Sequence, residues 1–218
     1  MTVIDAGGDR AAELRRVASE LFFSKGYEAT TTREIARLLG IKSASIYYHY
    51  ANKEEILFAV IRLTMVQLTL GLKAVLEAET NAEDRLAGLV ANHVALHALR
   101  PNETILGDTE LRSLTGPRRK EVFAMRDEYE GLVVGLLRSG QRSKAFDVLD
   151  PKLTAYAVIA EATNVGSWFQ PGGRVSLDRV VHVYANVALR LAKAAEIRRP
   201  TSKRLASAAY RFHTDGWA

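Results

Sequence analysis

Apolar residues recur every three or four positions through almost the whole chain. No stretch alternates with the period of two that a half-buried strand needs. The pattern predicts an all-α protein. A first helix runs from about Asp9 to Lys25, with Leu14, Val17, Ala18, Leu21 and Phe22 on one face and Gly26 ending it. A short helix follows, capped by Thr32 and carrying Ile35, Ala36 and Leu39; Gly40 ends it in a left-handed conformation. Ser43 caps the next, Ser45 to about Tyr50, which turns Ile46 and Tyr50 inward. Tyr47, Tyr48 and His49 then lie on a helix too short to bury them all. Asn52 caps a long helix that opens Lys53-Glu54-Glu55 and stays apolar to about Ala78.

Punctuation sets the remainder. Asn81 caps a helix that ends before Pro101. A shorter, less regular one covers about Glu103 to Leu114. Gly116-Pro117 opens a long helix to about Ser139, with Gly140 as its stop. Asp150-Pro151 opens the next, with Pro at the first turn, and Pro171-Gly172-Gly173 ends it near Gln170. Ser176 caps a last long helix to about Ala195. Beyond Pro200 the basic tail reads as partly disordered or as a loosely docked extra helix. Nine helices result, three in a head and six in a body. Residues 1–53 form the head, 54–195 the body and 196–218 the tail.

Thr30 to Glu55 has the spacing of a helix-turn-helix, whose second helix enters the DNA major groove. The runs FFSKGYEATTTREIA, GIKSASIYYHY and NKEEI resemble the DNA-binding domain of TetR-family transcriptional repressors. The likeness is strong over residues 10 to 60. By that resemblance, Thr32, Tyr47, Tyr48, His49 and Lys53 fall where the family touches the phosphate backbone. Lys42, Ser43, Ala44 and Ser45 fall where it reaches base edges, and Ala44 suits a thymine methyl. The alternative on their chemistry alone is that Tyr47 or Tyr48 is a core aromatic and the serines are mere caps; the DNA role is the reading adopted. In the body, ELRSLTGPRRKEVFAMRDEYEGLV, GQRSKAFDVLDPKL and SWFQPGGRVSLDRV are similar to a branch of the family that senses fatty acyl-CoA or related lipid thioesters.

Charge sharpens this reading. Of the net +5, residues 1–53 carry +2 (8 Lys/Arg against 6 Asp/Glu), the middle is neutral (17 against 17), and residues 196–218 carry +3 (5 against 2). A basic head on a neutral body suits a DNA reader, not a protein that coats nucleic acid through bulk charge. With no cysteine, disulfides and thiolate metal sites are excluded. The N-terminus lacks a secretory pattern and no apolar run reaches a membrane span, so the expectation is a soluble cytoplasmic protein.

Candidate ligand residues in the body are His93, His97, Arg126, Tyr129, Asn164 and Trp168. His93 and His97 share a helix face and line a pocket, pack ordinarily, or hold a metal if Asp108 or Glu110 joins them. Asn164 falls in the middle of an apolar helix, where a polar group needs a partner. Trp168 is a pocket wall, a subunit contact or a core residue. Arg112, Arg118, Arg119, Lys120 and Arg126 are cations available to an anionic head group. The last two long helices carry apolar residues on more than one face: Ala155, Val158, Ile159 and Ala162, then Val180, Val183, Val187, Ala188 and Leu191. In the family such helices make a four-helix dimer interface.

The expectation is therefore a homodimeric, ligand-responsive repressor. Its partners are a palindromic double-stranded operator and a small lipophilic effector such as an acyl-CoA; no catalytic residue, metal or cofactor is called. The alternatives are a drug-responsive efflux-pump regulator and a metal-dependent hydrolase built on His93 and His97. No nucleophile elbow, metalloprotease motif or phosphate loop supports the hydrolase.

Overall fold

The computed structural model describes residues 6–215. Every regular element among them is helical: α1 (Ala6–Lys25), α2 (Thr32–Leu38), α3 (Ser43–His49), α4 (Lys53–Ala78), α5 (Ala82–Leu99), α6 (Pro101–Thr109), α7 (Gly116–Arg142), α8 (Pro151–Thr163), α9 (Leu177–Leu191) and α10 (Arg199–Asp215). Short 3-10 turns follow α6 at Leu111–Ser113 and α8 at Asn164–Ser167.

The chain divides into two compact units. One holds residues up to Thr64 together with Asn102–Val122; the other holds Met65–Pro101 and everything from Phe123 on. This division differs from the expected segments 1–53, 54–195 and 196–218. Both α4 and α7 run through the two units, because each is a single uninterrupted helix whose ends bury their apolar residues in different cores.

The core of the first unit joins Leu14, Ala18 and Phe22 of α1 to Ile35 and Ala36 of α2, Ile46 of α3, and Ile56, Leu57 and Ile61 of α4. Leu106 of α6, Leu114 and Val122 close it. Gly40 takes a φ of +64°, which lets the chain reverse between α2 and α3 without steric cost. The second unit is centred on α5, buried from Leu86 to Ala98 and packed by α8, α9 and α10.

Several caps depart from the expected register. Thr31, not Thr32, is the N-cap of α2: it is extended and its hydroxyl accepts the Glu34 amide, and Thr32 is the first helical residue. α3 begins at Ser43 itself, after an extended Lys42 that makes no side-chain cap. Asn52 and Asn81 cap as expected, and Asp150 is the cap of α8; each accepts an amide from the following turn. α7 continues past Gly140 to Arg142. Gly140 is instead where the Phe146 ring lies against the backbone, in the space a Cβ would occupy, and the left-handed residue is Lys144. α8 stops at Thr163, short of the expected Gln170. There the Ser167 hydroxyl bonds the Asn164 carbonyl and side chain and tightens the chain into a 3-10 turn.

The tail is an ordered helix. α10 buries Ser202, Leu205, Ala206, Ala209 and His213 against α5 and α9. Polar bonds fix it: His182 to Ser202, Asn186 to the Ile197 backbone, and Arg204 to Glu79 and Asp84. Its buried side includes small and polar residues, which makes the helix hard to see in the hydrophobic pattern. The expectation that no apolar run reaches a membrane span also needs correction. α4 is long and apolar enough by length and composition. Most of its apolar side chains, from Ile56 to Leu72, are instead buried in the two cores.

Candidate DNA interface and effector site

The α2–α3 tandem presents its candidates outward. In α3 only Ile46 is buried. Tyr48 is 86% exposed and Tyr47 55%, so neither is a core aromatic. Lys42, Ala44 and Ser45 are exposed, and Ser43 and His49 are half-buried. The Tyr47 and Thr32 hydroxyls pair at 3.2 Å and join the two helices on the outer surface. The Tyr48 ring meets the His49 ring edge-on at 5.1 Å. Beneath this surface, Arg15 of α1 donates to the Tyr50 hydroxyl, and Lys25 pairs with Glu34 across α1 and α2.

Lys53 is engaged differently from its expected neighbours. Its ammonium donates to the carbonyl oxygens of Tyr27 (2.8 Å), Thr30 (3.1 Å) and Glu28 (3.3 Å) and stands 4.2 Å above the centre of the Tyr27 ring. A lysine has three ammonium donors, and here all three find carbonyls in the turn between α1 and α2. The buried Tyr27 hydroxyl is pushed up to about 12 by burial first and then by Glu54. Glu54 itself accepts the amide and hydroxyl of Thr115 and pairs with Arg118. Arg118 is thus committed to a carboxylate.

In the second unit three of the six expected ligand residues come together, with a fourth that sequence reasoning missed. His93 Nδ1 meets the Tyr129 hydroxyl and Nε2 meets the Thr163 hydroxyl, both at 2.9 Å. The His97 ring stacks on His93 at 4.3 Å and 4°, and its Nδ1–H donates to the His93 carbonyl. Both histidines and Tyr129 are buried. Burial, and secondarily the neighbouring His97 and His213, hold His93 well below the usual histidine range, and burial raises the Tyr129 phenol. Both shifts favour the neutral forms of His93 and Tyr129. Thr163 carries no sequence signal, since it is one hydroxyl at the end of an apolar helix.

Arg126 lies one turn before Tyr129 on α7 and is half-buried. Asn164 is not in mid-helix: it is the exposed C-cap of α8, satisfied by Ser167. Trp168 is largely exposed, 6.3 Å from the Tyr184 ring. The metal alternative fails on geometry: both ring nitrogens of His93 are taken. No cluster of three or more His, Cys, Asp or Glu able to hold a metal occurs among the described residues. A separate cleft of about 620 Å³ lies between the end of α4, the start of α5 and α7, walled by Leu76, Leu132 and Leu136 with Arg85 and Glu83. None of the six expected residues lines it.

The sequence matches the model for tetracyclin repressor-like C-terminal domains over residues 79–192, half of the chain, and that for bacterial regulatory proteins of the tetR family over residues 14–60. The chain belongs to the TetR family. It is a TetR-type transcriptional repressor with an N-terminal helix-turn-helix, and not an enzyme. Among its TetR-family relatives, the HTH-type transcriptional repressor KstR2 of Mycobacterium tuberculosis is 30% identical over 183 residues, 83% of this chain and 91% of that one. The fatty acid metabolism regulator protein of Bacillus subtilis is 25% identical over 155 residues, 69% and 79% of the two chains. A TetR-family regulatory protein from Rhodococcus RHA1 superposes with a TM-score of 0.79 at 29% identity, covering 85% of this chain and 98% of its own. The names of these relatives are consistent with a lipid-sensing branch of the family.

Proposed function

We propose that this TetR-family protein acts in the cytoplasm as a homodimer that grips a palindromic operator with its two heads, and that an acyl-CoA or similar lipophilic effector releases it. The observation that carries the DNA reading is the exposed surface of α2 and α3. A seven-residue helix that buries only Ile46 leaves Ala44, Ser45, Tyr47 and Tyr48 exposed and Ser43 and His49 half-exposed, with Lys42 exposed just before it, so this surface is available to something outside the protein. Hydroxyls and phenols there suit phosphates, and Lys42 and Ser45 at the start of α3 suit base edges.

Dimerisation is supported by what α8 and α9 leave uncovered. Val183, Val187 and Leu191 stand four apart on α9, with Val183 48% and Leu191 46% exposed. Leu153, Ala157 and Ala160 make a matching exposed stripe on α8. Such faces are buried in a partner, and a two-fold dimer matches a palindrome.

The effector reading is supported by the relatives' names, one a regulator of fatty acid metabolism, and by the apolar second unit. Each methylene of an acyl chain buried there contributes about 0.8 kcal/mol. Release requires that effector and DNA prefer different conformers. The test is to titrate acyl-CoAs of increasing length, with free CoA as control, into a fluorescent operator complex. Release by medium or long chains and not by free CoA is expected. If no thioester acts at micromolar concentration while a lipophilic cation does, the effector is of the efflux-regulator type.

A further inference from the structure

We propose that the Gln67 carboxamide of α4 is the donor that bonds the thioester carbonyl of the effector, a neutral acceptor carried into the apolar second unit by its acyl chain. This rests on the acyl-CoA reading given above and deepens it, by naming the group that separates a thioester from other long-chain molecules.

Gln67 is 2% exposed, and its Nε2 is buried with no hydrogen-bond partner. A buried amide that donates to nothing costs stability, whereas a methionine of the same length would fill the space with no donor to satisfy. Packing within the second unit gives its place. A Cβ on Gly88 of α5 would land on Val75 of α4, and one on Gly71 of α4 would land on Asn92 of α5. The two helices therefore run antiparallel, and residues 75, 71 and 67 of α4, four apart on one face, come level with 88, 92 and 96 of α5. Gln67 thus stands level with Leu96, and His97 is the next residue of α5. The polar side chains of this region are committed elsewhere. Asn92 donates to the Leu68 carbonyl and accepts from His213, and His93 has both nitrogens on Tyr129 and Thr163. Leu68, Leu72 and Leu96 belong to the core on either side of the seam, which suits an acyl chain. A neutral amide donor at this depth suits a neutral carbonyl. A carboxylate there would need a charged partner, which Gln67 is not.

The experiment removes each side of the bond in turn. Dodecanoyl-CoA and hexadecanoyl-CoA are each compared with the S-alkyl thioether of equal length, which has a methylene in place of the thioester carbonyl and keeps the rest of CoA. All four are titrated into the fluorescent operator complex of the full-length protein, unaltered and as Gln67→Met. On the unaltered protein, about tenfold more thioether than thioester should be needed to release DNA, because the thioether gives the amide nothing to bond. Gln67→Met should need about tenfold more thioester and nearly the same amount of thioether, so that the discrimination disappears. The variant should melt no lower than the unaltered protein, since it loses an unsatisfied donor. Equal potency of thioester and thioether on the unaltered protein, or a discrimination that survives in Gln67→Met, overturns the proposal and leaves the acyl-CoA reading standing. A variant that melts well below the unaltered protein makes the amide a structural group and overturns the proposal as well. Release by none of the four at micromolar concentration defeats the acyl-CoA reading and the proposal with it.

Discussion

Acidification should release α10 before the rest of the second unit loosens, and His213 sets the pH. Its Nε2–H donates to the backbone carbonyl (3.1 Å) and side-chain oxygen (2.8 Å) of Asn92, and the Asn92 amide donates onward to the Leu68 carbonyl of α4. The side chain is 1% exposed, and its Nδ1 is buried with no hydrogen-bond partner. A second proton must go to Nδ1, where nothing solvates it. Burial is the main reason its pKa falls from 6.5 to about 4; Arg100 and His97 of α5 push the same way, and the Asn92 carbonyl opposes them. The folded pKa is depressed, so the undocked state binds more protons between pH 6.5 and 4. The stabilisation is complete above 6.5 and is lost as pH falls towards 4. At about 1.4 kcal/mol per tenfold change in proton affinity, the whole effect is about 3 kcal/mol, and about 2 kcal/mol is gone by pH 5, roughly a thirty-fold rise in opening. His93, held low by burial, acts in the same sense; Glu161, whose pKa burial raises, acts in the opposite one. Hydrogen exchange of residues 199–215, corrected for intrinsic rate, should show that rise between pH 7.5 and 5. His213→Gln keeps an amide donor but cannot titrate, and should remove most of it. Equal protection of α10 at both pH values, or an undiminished acid response in His213→Gln, would refute the reasoning.

Gly71→Ala should destabilise the second unit by about 1–3 kcal/mol in chemical denaturation, because a Cβ there occupies the space of the Asn92 side chain and breaks its buried bonds. Val187→Glu should give a monomer by sedimentation and lose DNA binding with the head intact, since it places a charge in the exposed apolar stripe of α9. A folded variant that still dimerises would move the interface elsewhere. Tyr48→Ala should weaken binding to all sequences about equally, whereas Lys42→Ala or Ser45→Ala should change which operator is preferred, by about 1–3 kcal/mol per base contact. Operator selection on each variant checks this, and unaltered affinity and preference in all three would remove α3 from the interface.

The helical class, the helix-turn-helix tandem and the family were legible in the sequence, because they are written in local terms. Apolar spacing fixes which face of a helix is buried, and Gly40, Asn52, Asn81 and Asp150 mark the ends where backbone groups need partners. What lay beyond reach depended on which side chains meet across long separations. Three consecutive threonines can each cap α2, and only the backbone angle at Thr31 selects it. Lys53 reads as a surface cation until the carbonyls of residues 27, 28 and 30, more than twenty positions away, are brought under it. Thr163 completes the His93 cluster across 70 residues, and Asn164, one residue on, faces solvent because α8 has already ended. The tail became a docked helix only because α5 and α9 together offer it an apolar seat and Asn92 offers His213 a buried acceptor. Local pattern determines where the chain coils; tertiary packing alone decides which polar groups are taken out of water, and so which residues remain free to meet DNA.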